Sequence, residues 1–328
     1  MSARILIAGG WGLVGSNIAK VLREAGHDVE LVLAGRTPET GATFAAEIGA
    51  RVVRLDVADP ASGLAAAGPV DLVIAALQDP DDTLLAAALR SGAGHIGITR
   101  TAGNMASSAV TAAALASRPA MMLGHWQAGA LTLAALNAAQ AFASVERVEM
   151  AALYDYADPI GPMTADDATG FVGEALIRQD GHWRNVHAPD AARSVARPGL
   201  PAFDAMPMGV LDTPALAVMT GAADVRFDLG SGDSLGTAGG QIASHELYID
   251  IWGHGTNRAA LHRRTLVSDP KGQAHLTALG VLIAAERVLG LDGAAPPPAG
   301  LAFPESTIEP GKAVARLRHF GVRIEVLR

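Results

Sequence analysis

Through residues 1–125 short apolar runs alternate with stretches of helical texture. Ile5–Ala8, Asp28–Leu33, Arg51–Val57, Val70–Ala76, His95–Thr99 and Ala120–Gly124 read as strands. Between them Ser16–Ala25, Gly41–Ile48, Pro60–Ala67, a segment from Asp79 to Arg90, and Ala106–Ser117 read as helices. Val70–Ala76 is almost uniformly apolar, the pattern of a strand covered on both faces. Single helices joining such strands through short connections predict a right-handed, doubly wound parallel sheet.

Beyond residue 125 the pattern changes. Leu131–Phe142 is helical, but Arg147–Leu153, Asp224–Leu229 and Glu246–Ile251 alternate apolar with polar positions. These are half-buried strands of a largely antiparallel sheet. His254–Asn257 turns the last of them back into Ala260–Val267. Gln273–Leu289 is a strongly apolar helix closed by Gly290, Ala294–Gly300 a proline-rich connector, Ala313–Arg318 a short helix and Val322–Leu327 a final strand.

Directly after Ile5–Ala8 comes Gly10-Trp11-Gly12-Leu13-Val14-Gly15. Gly10 is expected to permit a tight turn, Gly12 to let the backbone approach a pyrophosphate, and Gly15 to bring helix and strand close. The N–H groups of Leu13 and Val14 at the helix start would then face the phosphate charge. The second strand follows at the spacing of a dinucleotide-binding (Rossmann) unit. Its tip reads Ala34-Gly35-Arg36-Thr37, with no carboxylate for a ribose diol and a guanidinium suited to a 2′-phosphate, so NADP is expected rather than NAD. Asp56 and Val57, at the end of the third strand, are expected near the adenine. Ala75, Ala76 and Gln78 after the fourth, and Thr99 after the fifth, are expected to face the cofactor.

Composition narrows the class. The 328 residues carry 33 acidic and 25 basic side chains, a net charge of −8, and no cysteine. Disulfides and thiolate chemistry are excluded, and the charge disfavours nucleic acid as a partner. The first core strand begins within a few residues of Met1 and no apolar run reaches membrane-spanning length, so a cytoplasmic protein with no membrane association is expected. Asp79-Pro80-Asp81-Asp82 reads as helix-start chemistry, with Asp79 capping and Pro80 in the first helical position. No metal is expected.

Gly9–Gly15, Leu33-Ala34-Gly35-Arg36, Leu55-Asp56-Val57 and the segment from Pro304-Glu305 to Leu317–Val322 together resemble the saccharopine dehydrogenase-like oxidoreductases. The resemblance implies an α/β fold in which a Rossmann domain is interrupted by an α+β domain. The expected division is residues 1–128 for the dinucleotide-binding domain, 129–268 for the substrate and dimerisation domain, and 269–328 for C-terminal helices returning to the first. It implies hydride transfer between NAD(P) and a carbon–nitrogen bond of a small imine or secondary amine; some relatives reduce other double bonds, C=O or C=C. Where the family often has Pro-Gly after the sixth strand this chain has Gly124-His125-Trp126-Gln127, and saccharopine itself is not the expected substrate.

The sixth strand must deliver its carboxyl end to the crevice of an open sheet, and the chain changes domain there. The active site is therefore expected between the two domains. His125 is the candidate proton donor, because histidine as a residue type exchanges protons near neutrality; Trp126 is placed to wall the pocket and Gln127 to orient a polar group. Tyr154 and Asp155, ending the first strand of the second domain, are expected to support His125. Tyr248 and Trp252 share one face of their strand, which is expected to be covered by a second copy in a homodimer. A non-catalytic NADP-binding redox sensor is the alternative from another class.

Overall fold

The computed structural model describes residues 2–98, 105–161 and 173–327. The chain forms two compact units, Met1–Gly124 with Thr277–Ile308, and His125–Leu276 with Glu309–Arg328.

In the first unit, strands β1 (Ala3–Ala8), β2 (Val29–Gly35), β3 (Arg51–Arg54), β4 (Leu72–Ala75), β5 (Gly94–Gly97) and β6 (Pro119–Met122) alternate with helices. These are α1 (Leu13–Glu24), α2 (Pro38–Glu47), α3 (Pro60–Ala67), α4 (Thr83–Arg90) and α5 (Met105–Leu115). All neighbouring strands run parallel, in the order β6-β5-β4-β1-β2-β3. This is the doubly wound topology, with the strand order reversing between β1 and β4. Every residue of β4 is buried, which is why it reads as an unbroken apolar run. Leu6, Val32 and Val73 pack with Leu64 of α3 and Leu84 of α4 in one core cluster. Each such side chain contributes roughly 1.5–3 kcal/mol on burial.

The second unit begins with a 3-10 turn, Trp126–Gly129, and α6 (Ala130–Ala139). Strands β7 (Ser144–Tyr154), β8 (Glu174–Gln179), β9 (His182–His187), β10 (Arg193–Arg197), β11 (Leu200–Pro207), β12 (Asp224–Ser231), β13 (His245–His254) and β14 (Ala260–Asp269) follow. Helices α7 (Asp212–Thr220) and α8 (Leu235–Ala238) lie among them, and α9 (Gln273–Leu289) follows, belonging from Thr277 onward to the first unit. The sheet is nine-stranded and mixed; β7 and β12 pair in parallel, and the other pairings are antiparallel.

The C-terminal segment does not return as one block. The connector contributes β15 (Gly300–Ala302), a seventh parallel strand on β6, and α10 (Pro304–Thr307) stays in the first unit. By contrast α11 (Pro310–His319) packs on α6 and β16 (Arg323–Leu327) pairs antiparallel with β14, so this end belongs to the second unit. The unpaired edge of β14 supplies the hydrogen-bonding groups that capture it.

Tyr248 does not lie on an open face. It is 2% exposed, packed with Ala151, Leu153, Val195, Phe203 and Ala205, because β10 and β11, absent from the sequence reading, supply Val195, Phe203 and Ala205. Trp252 is only partly covered. His262 stacks on it with ring centroids 4.5 Å apart, and the Arg147 guanidinium sits 4.7 Å from its ring. Nearby, Arg193 bridges Glu149 and Asp228, while Asp250 holds His262 and Arg264. Among the described residues no helix is long and apolar enough to cross a membrane.

Candidate functional site

The glycine turn is shaped by what surrounds it. The left-handed residue is Gly9, at φ +79°, rather than Gly10; both donate their N–H to the Ala34 carbonyl of β2. A Cβ on Gly9 would collide with the Ala76 carbonyl, one on Gly10 would stand 2.9 Å from the Leu33 Cβ, and one on Gly15 would strike the Gly9 carbonyl. Gly9 and Gly10 thus let the turn sit against β4 and β2, and Gly15 lets α1 dock. Gly12 is exposed and caps α1 without a side chain, and the first turn, from Leu13 and Val14, has no acidic residue. The positive end of the helix dipole is left to an external anion, so the residues present fit a dinucleotide pyrophosphate.

The other expected cofactor residues in the first unit lie at the carboxyl ends of its strands. Arg36 and Thr37 follow β2, both exposed; Thr37 precedes α2, and its carbonyl accepts from the Thr40 N–H and hydroxyl. Among the described residues no hydrogen bond or ion pair engages the Arg36 side chain. Asp56 accepts the Ala58 N–H, and the Val57 carbonyl accepts from Thr83. Ala75 ends β4 buried, Ala76 is half-buried against Gly9, and Gln78 is exposed. Thr99 lies outside the described residues. In the acidic run, Asp79 accepts the Leu84 and Leu85 N–H groups, but Pro80 precedes α4 instead of opening it. Among the described residues no cluster of three or more His, Asp or Glu side chains could hold a metal ion.

The second group of residues gathers around His125. Here the backbone takes an unusual path: Gln127 (φ +51°) and Ala128 (φ +52°) are left-handed and are followed by Gly129 (φ +87°). For non-glycine residues this costs on the order of 1–2 kcal/mol each, and distant groups hold it. Asp212, the first residue of α7, is fully buried; its Oδ2 accepts the Trp126 N–H and its Oδ1 the Thr132 hydroxyl, both at 2.6 Å. Burial pushes the Asp212 carboxyl up, while the charge of the neighbouring His125 and these donors oppose that rise.

Trp126 Nε1 and Gln127 Nε2 both donate to His245 Nε2, at 3.2 and 3.0 Å. That leaves Nδ1 as the protonated nitrogen. Burial pushes His245 down to about 4, so the ring is a neutral acceptor. Phe227 closes the indole's face with ring centroids 5.5 Å apart. The indole, its N–H and its backbone are thereby fixed, and His125, 5% exposed, is seated on a rigid turn.

Tyr154 and Asp155 have different surroundings. Asp155 accepts the Ser234 and Ala157 N–H groups and the Thr237 hydroxyl. Burial works against ionisation, yet these donors hold the carboxyl down to about 2, so Asp155 ties the end of β7 to the start of α8. Tyr154 meets Tyr156 edge-on at 5.3 Å, and burial raises its phenol. Asp212 is bonded to Trp126 and Thr132 next to His125, and Asp155 to Ser234, Thr237 and Ala157. Sequence reasoning missed Asp212, Thr132 and His245. Asp212-Thr213-Pro214 reads only as a helix start, and nothing local connects it to residue 126.

A family model for the NAD dependent epimerase/dehydratase family matches residues 5–93. No curated protein matches the chain. Among solved structures, apo saccharopine dehydrogenase (L-Glu forming) from Saccharomyces cerevisiae aligns with a TM-score of 0.74 and 13% identity, covering 100% of both chains. GenD2 from gentamicin A biosynthesis, in complex with NAD, aligns with a TM-score of 0.51 and 15% identity, covering 100% of this chain and 97% of its own. Likeness at these identities establishes the fold. The saccharopine dehydrogenase resemblance read from the sequence therefore extends, as architecture, over the whole chain: a parallel Rossmann sheet and a second, mixed sheet.

Proposed function

We propose that this chain is an NADP-dependent oxidoreductase transferring a hydride to or from a small C=N substrate, an imine or the corresponding secondary amine. The observation that carries the cofactor half is the bare start of α1 behind the glycine turn, beside a β2 tip that offers Arg36 and no carboxylate. A bound nicotinamide supplies the hydride. The chain's part is to hold the phosphates on the α1 N-terminus, to bind the ribose phosphate with Arg36, and to deliver a proton from His125 to the developing amine. Asp212 positions His125 by holding the Trp126 backbone, and Trp126 and Gln127 are locked by His245, so a substrate would meet a surface needing little reorganisation. Tyr154 and Asp155 serve as supporting groups, Asp155 through its fixed negative charge.

In this reading the protein acts in the cytoplasm on a small molecule and pairs as a homodimer through the second unit's sheet. The partly exposed Trp252, His262 and Arg147 stack offers an aromatic anchor for that pairing. Steady NADPH oxidation with a panel of imines, ketones and enoyl compounds tests the reaction. Turnover confined to ketones or enoyl compounds overturns the C=N assignment, and binding with no turnover on any of them leaves a nucleotide sensor. Arg36→Ala is expected to weaken NADPH binding by about 1.5–3 kcal/mol with NADH nearly unchanged; equal losses would overturn the NADP assignment.

A further inference from the structure

Trp11 stands at the second position of the glycine turn, half-buried. Its indole fills a slot walled by two glycines from other elements. A Cβ on Gly35, the last residue of β2, would lie 2.5 Å from Trp11 Cζ2 and 2.8 Å from Cη2; one on Gly41, inside α2, would lie 2.6 Å from Cδ2. Neither glycine has a left-handed φ, so the backbone does not require glycine at either place. A glycine inside a strand or helix costs roughly 0.5–1 kcal/mol relative to alanine. Both positions accept that cost where the indole needs the room.

The place the indole fills has chemical meaning. In dinucleotide-binding folds the tip of β2 is where a carboxylate takes the ribose hydroxyls. Here that tip is Gly35 backed by an indole, and the first side chain past it is Arg36, exposed and without a hydrogen-bond partner among the described residues. Thr37 and the start of α2 follow at once.

Resting on the reading that the glycine turn holds NADP, we propose that Trp11 is a specificity-determining residue. Seated on Gly35 and Gly41, it plugs the ribose-diol position and braces the β2–α2 junction so that Arg36 and Thr37 meet an adenosine 2′-phosphate. The group recognised is a ribose 2′-phosphomonoester, a dianion suited to a guanidinium fork.

The test measures binding of adenosine 2′,5′-bisphosphate and of adenosine 5′-monophosphate, which lacks only the 2′-phosphate, to the full chain by calorimetry, for wild type, Trp11→Ala, Trp11→Phe and Gly41→Ala. Wild type is expected to favour the 2′-phosphorylated ligand by about tenfold or more. Trp11→Ala should bring that ratio close to unity with 5′-monophosphate affinity kept, Gly41→Ala should do the same by evicting the indole, and Trp11→Phe should retain most of the preference. A wild type with no preference overturns the NADP reading itself. A wild-type preference that survives in Trp11→Ala, or equal losses for both ligands, overturns only the role of Trp11. If Trp11→Ala fails to fold, the Gly41→Ala ratio decides: an undiminished preference there overturns the proposal.

Discussion

The chain makes two sharp turns from a strand into a helix, Gly9–Gly15 after β1 and His125–Gly129 after β6, and it builds them in opposite ways. Both α1 and α6 start from a glycine cap with no capping side chain and no acid in the first turn. In the first turn the left-handed residue is a glycine, Gly9, held by the neighbouring strands through the Ala34 carbonyl and by close approach to Ala76. In the second the left-handed residues include Gln127 and Ala128, held by Asp212 and His245, which lie 86 and 119 residues from Trp126 in the chain. A turn made of glycines forms from its own preferences. One made of larger residues exists only where tertiary partners offset its conformational cost, and such strain is concentrated where function needs a side chain aimed in one direction.

The comparison is most exposed to test at His125. If the second turn exists to aim its imidazole, His125→Ala should lower kcat by roughly 10²–10⁴-fold while NADPH affinity, set by the first turn, stays unchanged. A kcat close to wild type across the pH range would reduce His125 to a wall residue.

Asp212→Ala should come next, destabilising the protein by about 2–4 kcal/mol in urea unfolding, because the Trp126 N–H and the Thr132 hydroxyl lose their buried acceptor. Asp212→Asn, which keeps an acceptor oxygen, should lose less. Equal losses in the two variants would mean that charge, rather than hydrogen bonding, holds the turn.

Acid should then loosen the second turn. The His245 pKa is depressed from about 6.5 to about 4 in the folded chain, so between those values the unfolded state binds the extra proton. Its stabilisation is present above pH 6.5 and lost progressively as pH falls toward 4, by about 2–3 kcal/mol. His245→Gln should flatten this part of the stability–pH curve; an unchanged slope would assign it to other groups.

The smallest effect is expected at Ala128. Ala128→Gly relieves a left-handed alanine and should be neutral or stabilising by about 0.5–1 kcal/mol, whereas Gly9→Ala in the first turn should be destabilising. Opposite signs at the two positions are the signature of the contrast, and a shared sign would erase it.

The first unit was legible in its sequence almost strand by strand, since parallel strands buried on both faces announce themselves as apolar runs. Less of the second was. The β8–β9 hairpin went unread although Asp180-Gly181, with φ +50° and +76°, is a recognised two-residue turn signal, because β9 is exposed and mostly polar and offers no apolar run. The buried position of Tyr248 followed from β10 and β11, which were unread in turn. β15 escaped because the proline-rich stretch before it reads as connector, and the fate of β16 depended on an open edge of β14.

Sequence alone determined the doubly wound unit, the glycine turn with its bare helix start, and the arginine at the β2 tip, because each rests on conformational preferences and spacings within a few tens of residues. Tertiary structure alone decided that Asp212 and His245 clamp the His125 turn, that Asp155 ties the end of β7 to the start of α8, and that Trp11 rests on Gly35 and Gly41. Those contacts join residues far apart in the chain or on different elements, and their energy comes from burial and hydrogen bonding that exist only once the elements have packed.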